Sequence, residues 1–179
     1  MLSENELTGP HWRFALDTYL RPGVSGHCLH LQDTYGVDVN VLLMSLHAAV
    51  ELCRDPSVAD IAALDAGTAD HRENVVKPLR RARRQLKEAG LGDPGEKLRS
   101  DIKKAEVRSE QLQQGLLVRG LAALPEGTPD PEKVARRVVA HFAGARGNAD
   151  RIDQDIAALD AISAISAAAT QAGSRNATA

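Results

Sequence analysis

The densest group of chemically capable side chains in this sequence is a run of basic residues near its middle. Six lysines and arginines fall within eleven residues, and the next acidic residue after the run begins is Glu88. Such a segment could hold phosphate groups or the carboxylates of another protein, because each basic side chain adds a salt-dependent contact. The members of this basic segment are Lys77, Arg80, Arg81, Arg83, Arg84 and Lys87.

Three interpretations of the basic segment remain open. It lacks both interleaved aromatic residues that could stack on bases and a helix-turn-helix signature, so nucleic acid is an unlikely partner. It could instead be a solvated helix face whose arginines pair with Asp101, Glu106 and Glu110 of a neighbouring helix. The function that we predict from it is the docking of a partner protein with an acidic surface, and this partner's identity is beyond the sequence.

A second group of polar side chains flanks a predicted turn at Gly36, between two apolar helices. These residues most simply cap helix ends, because Asn and Asp side chains accept hydrogen bonds from the free N–H groups there. The alternative is a polar pocket for a small ligand or for catalysis, since a helix with two aromatic residues is predicted to pack nearby. The candidates for that pocket are Trp12, Tyr19, Gln32, Asp33, Asp38 and Asn40.

Histidine and cysteine residues give little support to a metal centre or a disulfide. His27 and His30 share a helix face, but Cys28 points about 100 degrees away from it, and zinc sites use three or four ligands. The predicted packing leaves Cys28 and Cys53 about 10 Å apart, so we predict two buried, inert thiols. We therefore predict no metal and no cofactor, name no catalytic residue, and favour a non-enzymatic protein over an enzyme.

Length and composition narrow the class of protein. The 179 residues suit one domain with tails, and a net charge of −2 gives no overall field that would attract nucleic acid or anionic lipid. No apolar run approaches the roughly 20 residues that span a bilayer, and no signal peptide is visible. With two cysteines in the chain, we expect a reducing, cytoplasmic setting.

Apolar residues recur at helical spacing along most of the chain, and no strand-like alternation is present. One helix is predicted to end at Gly36, and the next, capped by Asp38, is apolar over so broad a surface that we expect it to be central. Pro78 predicts a kink or restart in a helix over residues 68–89. The apolar stripe of the helix before Gly36 consists of Val24, Cys28, Leu31 and Tyr35.

These elements predict an all-α fold: a compact helical core, an antiparallel helical hairpin and a looser C-terminal helical pair. The second hairpin helix has an apolar stripe at spacings of 4, 3, 4, 3 and 4, formed by Leu98, Ile102, Ala105, Ser109, Leu112 and Leu116. The predicted segments are a disordered N-terminus at residues 1–10, a helical domain at 11–124, a C-terminal helical extension at 125–170 and a disordered tail at 171–179. The oligomeric state is not predicted.

Residues 11–117 resemble an uncharacterised family of small, all-helical bacterial proteins, a domain of unknown function. The resemblance implies a helical fold and a bacterial, cytoplasmic origin, and it implies no activity. Its specific part lies in residues 11–54, and weaker features extend to Glu110. The features in that specific part are Trp12-Arg13-Phe14, Leu16, Tyr19, Pro22-Gly23-Val24, Cys28-Leu29, Leu31-Gln32-Asp33, Gly36-Val37-Asp38-Val39-Asn40 and Leu42-Leu43.

Overall fold

The fold is all-α, as predicted. A computed structural model describes residues 1–176, and within that range it contains helices and no β-strand. Residues 177–179 of the predicted tail lie outside the described residues. The helices are α1 (Glu4–Thr8), α2 (Pro10–Tyr19), α3 (Val24–Tyr35), α4 (Val39–Glu51), α5 (Val58–His71), α6 (Lys77–Ala89), α7 (Gly92–Leu121), α8 (Pro131–Ala145) and α9 (Ile156–Asn176), with a π-helical turn at Arg72–Val76 and a 3₁₀ turn at Ala149–Gln154.

Helix α4 is the centre of the fold. Every residue from 40 to 49 is buried, and the helix contacts α2, α5, α7, α8 and α9. Its first turn is capped by Asp38, whose side chain accepts hydrogen bonds from the backbone N–H groups of Asn40 at 2.8 Å and Val41 at 3.3 Å. A helix that is apolar on nearly all sides is stable only when other elements surround it. The predicted central position of this helix is confirmed.

Helix α2 packs on α4, and α3 packs on α9, α8 and α2. The predicted apolar stripe of α3 is buried along its whole length, and α3 ends at Gly36, as its spacing predicted. Gly36 has a φ of 77°, a left-handed conformation that glycine adopts without steric cost, and its N–H donates to the Gln32 carbonyl at 3.0 Å. The chain therefore turns sharply into α4. Side chains at the ends of α3 and α4 are brought close together by this turn.

The N-terminus is helical where the sequence analysis predicted disorder over residues 1–10. Ser3 and Glu6 form a reciprocal capping box for α1, and Leu7 is buried against the rest of the protein. Helix α1 packs on α7 at Gly115, where a Cβ atom would lie 2.6 Å from the Glu6 carbonyl oxygen. The Ser-x-x-Glu spacing is a helix-start signal that the sequence analysis missed.

The C-terminal helices belong to the same core as α4, which differs from the looser pair that was predicted. Helix α8 packs on α4, and α9 packs on α2, α3, α4 and α8. Buried alanines on α9 occupy little space, so the neighbouring helices can approach its backbone closely. Helix α9 also continues past residue 171, where the disordered tail was predicted. Buried residues of these two helices include Val134, Val138, Val139, Phe142, Ala158, Ala161, Ile162, Ile165 and Ala168.

The stretch Ile156–Ser174 of α9 is long and apolar enough to cross a membrane by length and composition alone. The sequence analysis found no such run, because Asp160 and several small polar residues interrupt it. Core helices of soluble proteins meet the same two criteria. In this fold 44% of the stretch is buried, against the helices that α9 contacts.

The two cysteines differ in exposure. Cys28 is fully buried in α3, as predicted, but Cys53 is exposed, so its predicted burial is wrong. The reason is that α4 ends at Glu51, and Cys53 adopts a φ of 51° outside the helix. Its carbonyl accepts a hydrogen bond from Gly127 N–H at 2.9 Å, so the chain there pairs with the segment before α8. Cys53 was predicted to be buried because the apolar periodicity of α4 was continued past the residue where the helix ends.

We expect one thiol of the native protein to react quickly with an aromatic disulfide reagent and the other only after denaturation. Cys53 should be the fast thiol, because burial raises the pKa of the Cys28 thiol to about 12 and blocks access to it. The measurement is spectrophotometric thiol counting with and without guanidinium chloride. As control, Cys53→Ser should remove the fast phase entirely, and two fast thiols in the native protein would contradict the burial of Cys28.

Candidate functional site

The passage from α5 to α6 contains a π-helical turn, directly before Pro78. Proline has no N–H to donate to the carbonyl four residues earlier, so an uninterrupted α-helix is disfavoured there, as the sequence analysis predicted. The Lys77 N–H instead donates to the Arg72 carbonyl, five residues back. Single π-helical turns of this kind are frequent at functional sites. Here the turn begins with Arg72, whose side chain reaches the start of α4.

Asp38 and Arg72 form the centre of a buried polar network. Asp38 Oδ2 accepts from Arg72 Nη1 at 3.1 Å and from Gln113 Nε2 at 2.6 Å, while Oδ1 accepts from the first turn of α4. Arg72 also pairs with Asp65, whose second oxygen lies 2.9 Å from His141 Nε2. Burial opposes the charge of Arg72, but the two carboxylates outweigh it and raise the pKa of its guanidinium. The network therefore links α4, α5, α7 and α8.

Three side-chain amides continue from Asp38 along the contact of α4 with α7. Gln113 donates to Asp38, Asn40 Nδ2 donates to Gln113 Oε1 at 2.9 Å, and Gln114 Nε2 donates to Asn40 Oδ1 at 2.8 Å. We call Gln113, Asn40 and Gln114 the amide chain. All three residues are buried, so their mutual hydrogen bonds replace those that water would make.

The basic segment is divided between internal and free side chains. Arg80 donates to Glu106 at 3.1 Å, to Glu110 at 2.7 Å and to Gln32 at 2.6 Å, and Arg83 pairs with Glu106. Lys77 pairs with Glu73 on the preceding turn. The predicted pairing with the neighbouring helix therefore holds for Arg80 and Arg83, and Asp101 pairs with Lys104 instead. The remaining members are exposed and form no ion pair within the described part of the chain: Arg81, Arg84 and Lys87.

The two glutamates that meet Arg80 differ in their protonation equilibria. Burial raises the pKa of the Glu106 carboxyl, but hydrogen bonds from Arg83 and Arg80 outweigh this effect and leave the pKa lowered. Burial also raises the pKa of Glu110, and there it prevails over the charge of Arg80. Nearby Glu106 and Asp38 raise the pKa of Glu110 further. The charged form of Glu106 is thus stabilised, whereas that of Glu110 is disfavoured.

A cavity of about 1150 Å³ lies between α2, α3 and α4 on one side and α6 and α7 on the other. We call it the cleft. It is lined by all six residues of the predicted polar pocket and by every member of the basic segment except Lys87. The sequence analysis treated these as two separate sites on distant segments. The structure brings them together because α6 folds back along α7, which packs on α4.

The exposed rim of the cleft carries apolar as well as charged side chains, and its buried floor contains polar groups. Leu16, Leu20 and Leu29 of the rim are 38%, 75% and 46% exposed, and the rings of Trp12 and Tyr19 are half-buried beside them. The floor contains the amide chain and the Asp38–Arg72 network. Apolar side chains with a few convergent polar groups are the usual composition of a ligand pocket.

Several polar residues of the cleft were not predicted, and those of α7 were missed because its apolar residues were taken as the buried face. In the structure Leu98 is 51% exposed and Leu112 and Leu116 are half-buried. The buried positions of α7 are offset from the predicted stripe, except at Ser109. The cluster of amides at residues 111–114 was the available signal, because glutamines seldom recur in an apolar face unless they are hydrogen-bonded. The missed residues are Asp65, Arg72, Gln113 and Gln114, whereas Glu106 and Glu110 were predicted only as ion-pair partners of the basic segment.

Metal-capable side chains do not gather anywhere in the described residues into a group of three or more that could hold an ion. His30 Nε2 lies 3.5 Å from Asp155 Oδ2, and His27 lies beside Gly23 at the start of α3. The two histidines that the sequence analysis weighed as ligands thus have separate surroundings.

A family model described as a protein of unknown function (DUF2390) matches residues 10–117. The chain belongs to this family. The resemblance noted in the sequence is confirmed, and the DUF2390 region covers α2 to most of α7. No curated protein and no solved structure matches the chain. All the polar cleft residues named above lie within the DUF2390 region, and the C-terminal part adds Phe142, Ala145 and Arg146 to the lining.

We expect Asp38→Ala to lower the free energy of unfolding by about 3 kcal/mol. Roughly 1 kcal/mol of this is the helix cap, and the rest comes from leaving Arg72 and Gln113 without their buried acceptor. The measurement is chemical denaturation followed by circular dichroism. Asp130→Ala is the matched control, because Asp130 caps α8 in the same way but is exposed and should cost about 1 kcal/mol. Equal losses in both variants would contradict the buried network.

Proposed function

We propose that this protein binds a small ligand in the cleft. The observation that carries the proposal is the convergence of two sequence-distant groups, the pocket candidates of α2 to α4 and the basic segment of α6, on one cavity. Its volume of about 1150 Å³ is slightly above the usual range of ligand pockets, roughly 300 to 1,000 Å³. The cleft thus has space for a ligand and bound water.

The chemistry of the lining favours an amphipathic ligand with an apolar or aromatic body and an anionic group. The leucines of the rim and the rings of Trp12 and Tyr19 offer apolar contact. Arg81 and Arg84 are exposed, line the cleft and are free to pair with an anion. Binding is favoured over catalysis because the charged groups of the floor, Asp38 and Arg72, already satisfy one another.

Binding can be tested with 8-anilino-1-naphthalenesulfonate, an anionic aromatic dye of suitable shape. Trp12 is the one tryptophan of the sequence and lines the cleft, so its emission reports on this site. We expect saturable quenching of Trp12 emission by the dye, and about tenfold weaker binding to Leu16→Glu, because a carboxylate in the rim repels the sulfonate and removes apolar contact.

The matched control for this experiment is Leu52→Glu. Leu52 is 41% exposed, close to the 38% of Leu16, but it does not line the cleft. Its dye affinity should equal that of the wild type. Quenching that does not saturate, or equal weakening by both substitutions, would rule out the cleft as the binding site.

A second candidate function is the docking of an acidic partner protein through the basic segment. It is favoured by one observation: Arg81, Arg84 and Lys87 are exposed and have no ion pair within the described residues. Charged residues that are free on a surface steer a partner of opposite charge and suppress partners of like charge. Arg80 and Arg83 are not part of this surface, because α7 already pairs with them.

Replacing Arg81, Arg84 and Lys87 with Glu should abolish co-purification of an acidic partner from lysate of the native organism, while the circular dichroism spectrum remains helical. The control is the triple replacement of Lys97, Lys133 and Arg151 with Glu, which makes the same change in net charge at other exposed positions. The partner should be retained by this control at low salt. If both triple variants retain the same proteins as the wild type, docking through this surface is excluded.

A further inference from the structure

The amide chain on the floor of the cleft ends in a hydrogen-bond acceptor that has no donor. Gln114 is 3% exposed and lines the cleft, and its Oε1 has no hydrogen-bond partner within the described part of the chain. Buried side-chain oxygens in native proteins nearly always accept a hydrogen bond, and an unmet acceptor is costly. This atom therefore points to something that the cleft receives.

The unpaired atom of Gln114 is the amide oxygen and not the nitrogen. This assignment follows from the hydrogen bonds that Asp38 accepts. An ionised carboxylate only accepts hydrogen bonds, so the group of Gln113 that faces it must be the NH₂. Gln113 then presents its oxygen to Asn40, which must donate its own NH₂. Asn40 in turn presents its oxygen to Gln114.

Gln114 therefore donates its NH₂ to Asn40, and its Oε1 has no hydrogen-bond donor within the described residues. Reversing any one amide would place two NH₂ groups or two oxygens against each other. The ionised state of Asp38 is itself required, because its oxygens accept from two backbone N–H groups and from Arg72. The free end of the amide chain is thus an acceptor.

Glu110 supplies a second acceptor on the same face of α7. It precedes Gln114 by four residues, a spacing that places side chains next to each other on a helix. One of its oxygens accepts from Arg80, and the residue lines the cleft. Trp12 lines the same cavity and offers an aromatic surface to whatever binds there.

We infer that the inner end of the cleft binds an N–H donor, an amide or an amine carried on an aromatic or apolar body, with Gln114 Oε1 as its acceptor. This inference rests on the proposed function and adds the group by which the ligand is recognised. The donor completes the hydrogen bonding of the amide chain, and the body of the ligand packs on Trp12. A site with a buried acceptor rejects analogues that lack the donor far more strongly than a purely apolar pocket would.

The test compares three small probes of similar shape: benzamide, with a neutral N–H donor, benzylamine, with a cationic one, and methyl benzoate, with none. Binding is followed by ¹H–¹⁵N NMR at the side-chain amide of Gln114 and the indole of Trp12. We expect one or both donor probes to bind the wild type at least tenfold more tightly than methyl benzoate. The donor probe that binds more tightly indicates whether the ligand carries an amide or an amine.

Gln114→Met removes the acceptor at nearly constant volume and should reduce the preference for donors to within twofold, as read at Trp12. Gln111→Met is the matched control, since Gln111 is another buried glutamine of α7 that does not line the cleft. It should keep the preference. If the methionine variant fails to fold, the comparison of the three probes on the wild type still tests the inference.

The inference is overturned if methyl benzoate binds as tightly as the donor probes, if no probe shifts either signal, or if the preference survives in Gln114→Met. The dye experiment on the same samples separates this failure from that of the proposed function. If the dye binds at the cleft but the probes show no preference for a donor, only the role of Gln114 is excluded. Absence of dye binding and of probe binding removes the ligand-binding function as well.

Discussion

The buried carboxylate of Asp38 is the group on which most of this architecture depends. It caps the central helix α4, neutralises Arg72 and orients the amide of Gln113. These three contacts join elements that are far apart in the chain, because α4, the π-helical turn and α7 all meet at one side chain. A buried charge of this kind is stable only when each of its oxygens is hydrogen-bonded. The same requirement sets the direction of every amide on the floor of the cleft.

The cleft exists because α6 and α7 are held to the core by polar contacts as well as by apolar packing. No residue of α6 is fully buried, and the contacts of Arg80 and Arg83 with Glu106, Glu110 and Gln32 connect the helix to its neighbours. Ion pairs with defined geometry fix a separation between helices, whereas apolar side chains would pack until the space closed. Of these contacts, the hydrogen bond from Arg80 to Gln32 is the one that crosses the cleft to α3.

Helices α3, α4 and α7 show where apolar periodicity predicts a buried helix face and where it does not. The stripe of α3 and the burial of α4 were predictable, because the core faces of both helices are largely apolar and the ends are marked by Gly36 and Asp38. Apolar periodicity does not identify the buried face of α7, because that face is polar in the middle part of the helix. Apolar periodicity identifies a buried face only when the facing helices are apolar too. Here the facing groups are a carboxylate, an amide and two arginines, and the sequence does not say which segments will meet.

The amino-acid sequence by itself determined the helical class, the main turns, the central helix and the membership of residues 10–117 in their family, because these depend on local spacing and on caps. It also supplied both sets of candidate residues. Only the tertiary structure decided that the two sets line one cleft, that half of the basic segment is paired internally and that Gln114 keeps a free acceptor. Apart from the pair of Lys77 with Glu73 one helical turn away, those properties arise from contacts across 23 to 75 residues of chain, and no local spacing encodes them.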